Sequence, residues 1–134
     1  MNRTVTSRLD GWDLPDVGDA WPLAEPFAIG DVHLRNRVVQ PPLAGIANWA
    51  FRAQSRRFGA GLAVSEMVSS FGVVHDNDRT RGMLDTSHDL GPVSIQLFGA
   101  EPQVMADAAR AAVDAGADLI DVNMGCPVKK VCKT

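Results

Sequence analysis

The chain has 134 residues, 46% of them hydrophobic and 22% charged, with a formal net charge of −3 at pH 7. That length fits one domain, and the apolar content excludes a disordered chain. The acidic balance excludes a polycationic nucleic-acid binder, although basic side chains can still gather on one face.

Residues 1–24 mix Asp, Gly, Pro and Trp without periodicity and read as an irregular leader; they lack the apolar run of a signal peptide. Nothing in the chain approaches the ~20 apolar residues that span a bilayer. From Phe27, the run FAI, then Gly30-Asp31, then VHL predicts a hairpin, because Gly supplies the positive φ of a two-residue turn. RVVQ predicts a first strand that stops at Pro41-Pro42. Asn48 can cap a helix over WAFRAQSRRF, which Gly59 ends. GLAVSEM predicts a second strand, NDRTRGML a short helix and PVSIQLFG a third strand. A helix follows over 101–115, with Pro102 in its first turn and Gly116 after its last. Val104, Ala108, Ala111, Ala112 and Ala115 share one face, small enough for close packing on a sheet. DLIDVN predicts a fourth strand.

Strands and helices alternate at roughly the 30-residue length of a βαβ unit, which implies a parallel sheet in an α/β fold. An open doubly wound sheet and a (β/α)8 barrel of ~250 residues both use such units. No GxGxxG follows the first strand and no Walker loop is present, which weakens the open nucleotide-binding sheet. Both architectures stay open on the residues alone, as an open sheet or the first half of a TIM barrel: about four parallel strands with flanking helices and an N-terminal β-hairpin.

A barrel places its chemistry on the loops that follow the strands. Those segments are PPLAGIAN, SEMVSS, Gln96 with LFG, and NMGCPVKKV. PPLAG is a rigid turn that brings backbone close to a flat partner, or a plain strand-to-helix turn. Gln96, an amide in an apolar strand, needs partners at both ends. A neighbouring strand's loop or a ligand with paired donors and acceptors would serve equally. In NMGCP, Asn123 ends a strand, Gly125 permits close approach and Pro127 fixes the exit around Cys126. A thiol there can act as nucleophile, metal ligand or general acid, or be a small buried side chain. His33, His75 and His88 are scattered, so no metal set is evident, and no base stands out for a nucleophile. A thiol protonated at its usual pKa of ~8.5 could donate a proton at neutral pH. Lys129, Lys130 and Lys133 form a solvated charged turn or, beside RNA, would meet phosphates. The two cysteines, Cys126 and Cys132, form no CxxC pair or zinc half-site, and a reducing cytoplasm suits them better than a secreted framework.

Taken together, PPLAG, GAGLAVSEMVSS, VSIQLFGAEPQVMADAARAA and GADLIDVNMGCPVKKV resemble the tRNA-dihydrouridine synthases, from about Arg37 to the end of the chain. The resemblance implies an FMN-binding (β/α)8 barrel followed by a helical RNA-binding domain. It implies that NADPH reduces FMN, that the flavin delivers hydride to C6 of a uracil in tRNA, and that an enzyme acid protonates C5. By resemblance Cys126 is that acid, Asn123 lies near the target base, Pro42, Leu43 and Ala44 form the turn against the flavin, and Gln96 contacts its ring. Glu66, in the SEM segment, receives no firm role. The family usually carries Met where Leu43 stands and often Ala where Pro41 stands. Its later strands, with a flavin-binding Lys and His and the phosphate site, have no counterpart in these residues, nor has the RNA-binding domain. The resemblance thus implies that residues 25–134 are the N-terminal portion of the catalytic domain; with the strand edges of a half-barrel open they are expected to be inactive by themselves, and no metal, membrane or protein partner is expected. Two rival expectations are an FMN-dependent barrel oxidoreductase acting on a small molecule and a non-catalytic binding module.

Overall fold

The computed structural model describes residues 22–125. Of the predicted leader, only Pro22–Ala24 falls within that range, as one turn of 3-10 helix. Strands β1 (Phe27–Ile29) and β2 (Val32–Leu34) pair antiparallel, with Phe27 opposite Leu34 and Ile29 opposite Val32. Gly30 turns between them at φ 56°, the conformation the hairpin asked of a glycine. Past the hairpin, Arg35 Nη2 donates to the carbonyls of Arg56 (2.8 Å) and Ala60 (3.3 Å), and Asn36 Nδ2 donates to that of Gly59 (2.8 Å). Those carbonyls lie from the last turn of a helix up to the strand that begins at Leu62, so the hairpin sits at the N-terminal, bottom end of the sheet.

The main sheet is parallel throughout. Its strands are β3 (Val39–Gln40), β4 (Leu62–Val64), β5 (Val68–Ser69), β6 (Val93–Phe98) and β7 (Leu119–Val122). β3 pairs with β4, β4 with β6, and β7 with β6, so the four predicted strands lie side by side in chain order. The predicted strand GLAVSEM is interrupted. Val64 pairs with Ser94 but Val68 with Leu97, so β4 and β5 together hold one more residue than β6 over the same stretch. That extra residue is a bulge at Ser65–Met67. Such bulges re-aim side chains, and they are frequent beside active sites. Ser65 repairs the ladder: its backbone N–H donates to the Ser94 carbonyl at 2.9 Å, and its hydroxyl accepts from the Gln96 N–H at 3.0 Å.

Among the described residues four helices flank the sheet: α1 (Trp49–Arg57), α2 (Ser70–Val74), α3 (Asp78–Gly82) and α4 (Pro102–Asp114). Asn48 caps α1 as predicted, its side chain accepting from Phe51 N–H, and Asn77 caps α3 from Thr80 N–H. Helix α2 has no forerunner in the predicted elements. It begins as soon as β5 ends, where Ser69 accepts from Gly72 N–H.

The core lies between the sheet and α4. Val68, Ile95 and Leu97 meet Ala108 and Ala112 of α4, with Val73, Leu84 and Ala117 completing the cluster. Each such large aliphatic side chain contributes about 1.5–3 kcal/mol on burial. Ala115, predicted on the packed face, is exposed at the helix's C-cap. Helix α1 buries arginines instead of apolar residues: Arg52 and Arg56 are its buried positions, while Trp49, Phe51 and Phe58 stay exposed. Arg56 Nη1 donates to the Ala60 carbonyl at 3.1 Å and to that of Gly61. Burial, and then the neighbouring Arg35, lower its pKa from the usual guanidinium value.

Candidate active site

Alternation along β6 divides the functional side chains from the core. Ile95 and Leu97 face the helices, so Ser94 and Gln96 face the opposite side of the sheet. Asp121 of β7 stands in register with Gln96 and shares that side, as does Asn123 two residues on. The side away from the helices is the interior of a closed barrel.

Gln96 is 6% exposed and both ends of its amide have partners. Nε2 donates to Asp121 Oδ2 at 2.6 Å, and Oε1 accepts from Asn123 Nδ2 at 3.1 Å. Asn123 Oδ1 in turn accepts from Gly125 N–H at 3.1 Å, and its Nδ2 lies 4.0 Å from Met67 Sδ. One polar chain thus runs from the Asp121 carboxylate to the backbone immediately before Cys126. Partners on β7 and in the segment just after it match the reading of Gln96 as bonded to a neighbouring strand's loop and leave the ligand reading open. Inventory leaves room for a ligand too, since a primary amide has two N–H donors and two acceptor lone pairs. By that count Gln96 retains one of each.

The turn after β3 forms a second group. The Leu43 carbonyl accepts from the N–H groups of Ile46 (3.0 Å) and Ala47 (2.9 Å), and Gly45 adopts φ 73°. Leu43 and Ala44 are exposed at this end of the sheet and Pro42 is half-buried. Glu66 holds the turn from the bulge: its Oε2 accepts from Gly45 N–H at 2.8 Å. The Ser65–Met67 bulge is therefore the link between the two groups, with Glu66 reaching the turn and Met67 reaching Asn123.

Gln96 and Asn123 are in direct contact; Pro42, Leu43 and Ala44 join them only through the bulge. Cys126, the predicted acid, and Lys129, Lys130 and Lys133 lie outside the described residues. Asp121 was not singled out from the sequence. The signal was its spacing, since Asp121 and Asn123 are the polar residues at i and i+2 of an otherwise apolar strand, hence on one face. Among the described residues, no three His, Cys, Asp or Glu side chains are grouped to hold a metal ion, and no helix is long and apolar enough to cross a membrane.

Comparison with known proteins gives this geometry a family. The chain is 48% identical over 105 residues to a protein of Shewanella oneidensis named tRNA-dihydrouridine synthase B, a match covering 78% of the chain and 33% of that relative. It is 47% identical over 103 residues to the protein of that name in Escherichia coli K12, covering 77% of the chain and 32% of the relative. With the Vibrio vulnificus protein of that name it shares 43% over 105 residues, or 78% of the chain and 33% of the relative. The chain spans about a third of the length of the curated relatives it matches. The family described as dihydrouridine synthase (Dus) matches residues 38–134, which include every strand of the parallel sheet, both polar groups at its strand ends and Cys126. The chain belongs to the dihydrouridine synthase family.

Proposed function

We propose that this chain is the N-terminal portion of the catalytic domain of a cytoplasmic enzyme that reduces uridine to 5,6-dihydrouridine in tRNA, with FMN as bound flavin and NADPH as reductant. The observation that carries the reading is Gln96 on the barrel-interior face, its amide ends held as donor and acceptor by Asp121 and Asn123 with one donor and one acceptor of its inventory unspent. An imide edge carries both a carbonyl and an N–H, the two kinds of group that an unspent amide donor and acceptor can meet. The flavin ring presents such an edge. The residues present therefore fit the flavin's ring, and the bound group would supply hydride to C6 of the uracil.

The chain's own residues divide the remaining work. Gln96 would hold the flavin edge. Pro42, Leu43 and Ala44 would lie against the ring, supported by the Glu66–Gly45 hydrogen bond that fixes their turn. Asn123 would orient the target base, since its amide is already held at both ends by Gln96 and Gly125. Cys126 would give its proton to C5, and the thiolate left behind would be reprotonated from solvent. Lys129, Lys130 and Lys133 would meet tRNA phosphates.

Residues 1–134 alone should not be active. Among the described residues β3 and β7 each have a strand on one side only, and such open edges invite association. A monomeric preparation of these residues with stoichiometric FMN and NADPH-dependent tRNA reduction would overturn that statement. The reading itself is tested with Cys126→Ala in the product of the complete reading frame. Tritium-release or primer-extension assays of tRNA should show a rate reduced by about 10²–10⁴, with FMN binding retained. An unchanged rate removes Cys126 from the mechanism.

A further inference from the structure

We infer that Asp121 is a positioning residue that fixes which way round the Gln96 amide lies, and through it the Asn123 amide, so that the site offers its ligand a single donor–acceptor order. The inference rests on the flavin reading above and adds to it a residue with no role in that reading.

The argument starts from the symmetry of an amide. The oxygen and nitrogen ends of Gln and Asn have nearly the same shape, so packing alone does not choose between them; hydrogen bonds do. An ionised carboxylate only accepts, so a group opposite it must present its NH2 end. Asp121 stands in register with Gln96, and its Oδ2 lies 2.6 Å from Gln96 Nε2, the short length of a charge-assisted hydrogen bond. With Nε2 committed there, Oε1 faces Asn123 and accepts from Nδ2 at 3.1 Å. Asn123 Oδ1 is then turned to accept the Gly125 N–H at 3.1 Å. The backbone end of this chain agrees with the carboxylate end, because an N–H can only donate.

No other side-chain contact in the described structure uses the Asp121 charge: its Oδ2 accepts from Gln96, and none of the ion pairs among the described residues includes it. Without the carboxylate, the reversed order at Gln96 becomes accessible. A bound imide edge would then meet acceptor with acceptor. Asp121 need not touch the ligand to exert this control.

A double-mutant cycle in the product of the complete reading frame tests the inference, with FMN affinity read by fluorescence quenching. Asp121→Ala should weaken FMN binding about tenfold, and the near-isosteric Asp121→Asn, whose amide can accept or donate, should fall between it and wild type. In a Gln96→Leu background, Asp121→Ala should add no further loss, because the effect passes through Gln96. Melting temperatures follow the fold separately, so that a loss of flavin affinity is told apart from a loss of stability. Wild-type affinity in both Asp121 variants overturns the inference, as does an equal loss with and without Gln96. A wild-type protein that binds no FMN sinks the flavin reading itself, a result distinct from either.

Discussion

Glu66 Oε2 accepts the backbone N–H of Gly45 at 2.8 Å, tying the bulge between β4 and β5 to the turn after β3. The contact is exposed, so water can replace it, and its net worth is that of one ordinary hydrogen bond. Glu66→Ala should cost about 0.5–1.5 kcal/mol of stability in urea unfolding. The sharper readout is local: hydrogen exchange at the Gly45 amide should speed up. Exchange at the wild-type rate would mean that Gly45, at φ 73°, and the bonds to the Leu43 carbonyl hold the turn without help.

Strand and helix identities were legible because local chemistry agrees with them: Asn48 caps, Gly30 turns, and β6 is an apolar run between Pro92 and Gly99. The bulge was not legible, because GLAVSEM is apolar enough to read as one strand and the extra residue shows only in its register against β6. Helix α1 was placed correctly, yet its buried side was not foreseen. Its arginines are buried through partners in the Ala60–Gly61 and Asp85–Asp89 segments, which no periodicity within the helix reports. For the site, Gln96 stood out as an amide in an apolar strand, whereas Asn123 ended a strand and took its role from the family resemblance. Asp121 passed unnoticed because a lone acid in a strand has many roles; only the register that sets it opposite Gln96 gives it one.

Gln96→Leu should weaken FMN binding in the product of the complete reading frame by about 1–3 kcal/mol, the cost of leaving polar groups unpaired. It also removes the hydrogen bonds that Gln96 makes to Asp121 and Asn123. Fluorescence titration should therefore show weaker flavin, and stability should fall as well. Reduced stability with unchanged FMN affinity would assign Gln96 to tying strands together and nothing more.

Gly61→Ala tests the attachment of the hairpin. A Cβ at Gly61 would collide with the backbone carbonyl of Asn36 and with its side-chain oxygen. Asn36 cannot simply rotate away, since its Nδ2 donates to the Gly59 carbonyl at 2.8 Å and its Oδ1 accepts from Val38 N–H at 3.0 Å. Relief requires the backbone to shift, at about 1–3 kcal/mol for such overpacking. Thermal unfolding of the alanine variant measures it; a melting temperature equal to wild type would mean that the hairpin is not clamped against β4.

The Arg52–Asp89 pair should be the most costly single contact to break. Arg52 Nε donates to Asp89 Oδ1 at 2.9 Å and Nη2 to Oδ2 at 2.7 Å, with the two side chains only 2% and 3% exposed. Arg52 also donates to the carbonyls of Ala47 (3.2 Å) and Asp85 (2.9 Å), so one guanidinium joins the turn after β3 to the segment that precedes β6. Removing one charge strands the other in a place water barely reaches, where the loss is typically about 3–5 kcal/mol. Asp89→Ala should therefore lower the unfolding free energy by that amount. Replacing both, as in Arg52→Met with Asp89→Leu, removes the stranded charge and should recover much of the loss, though the Ala47 and Asp85 carbonyls then need water. Urea unfolding of the two singles and the double gives the coupling directly. A single variant within 1 kcal/mol of wild type by the standard of an exposed pair would show that the site admits enough water to solvate the lone arginine, and the pair would no longer explain how α1 is seated.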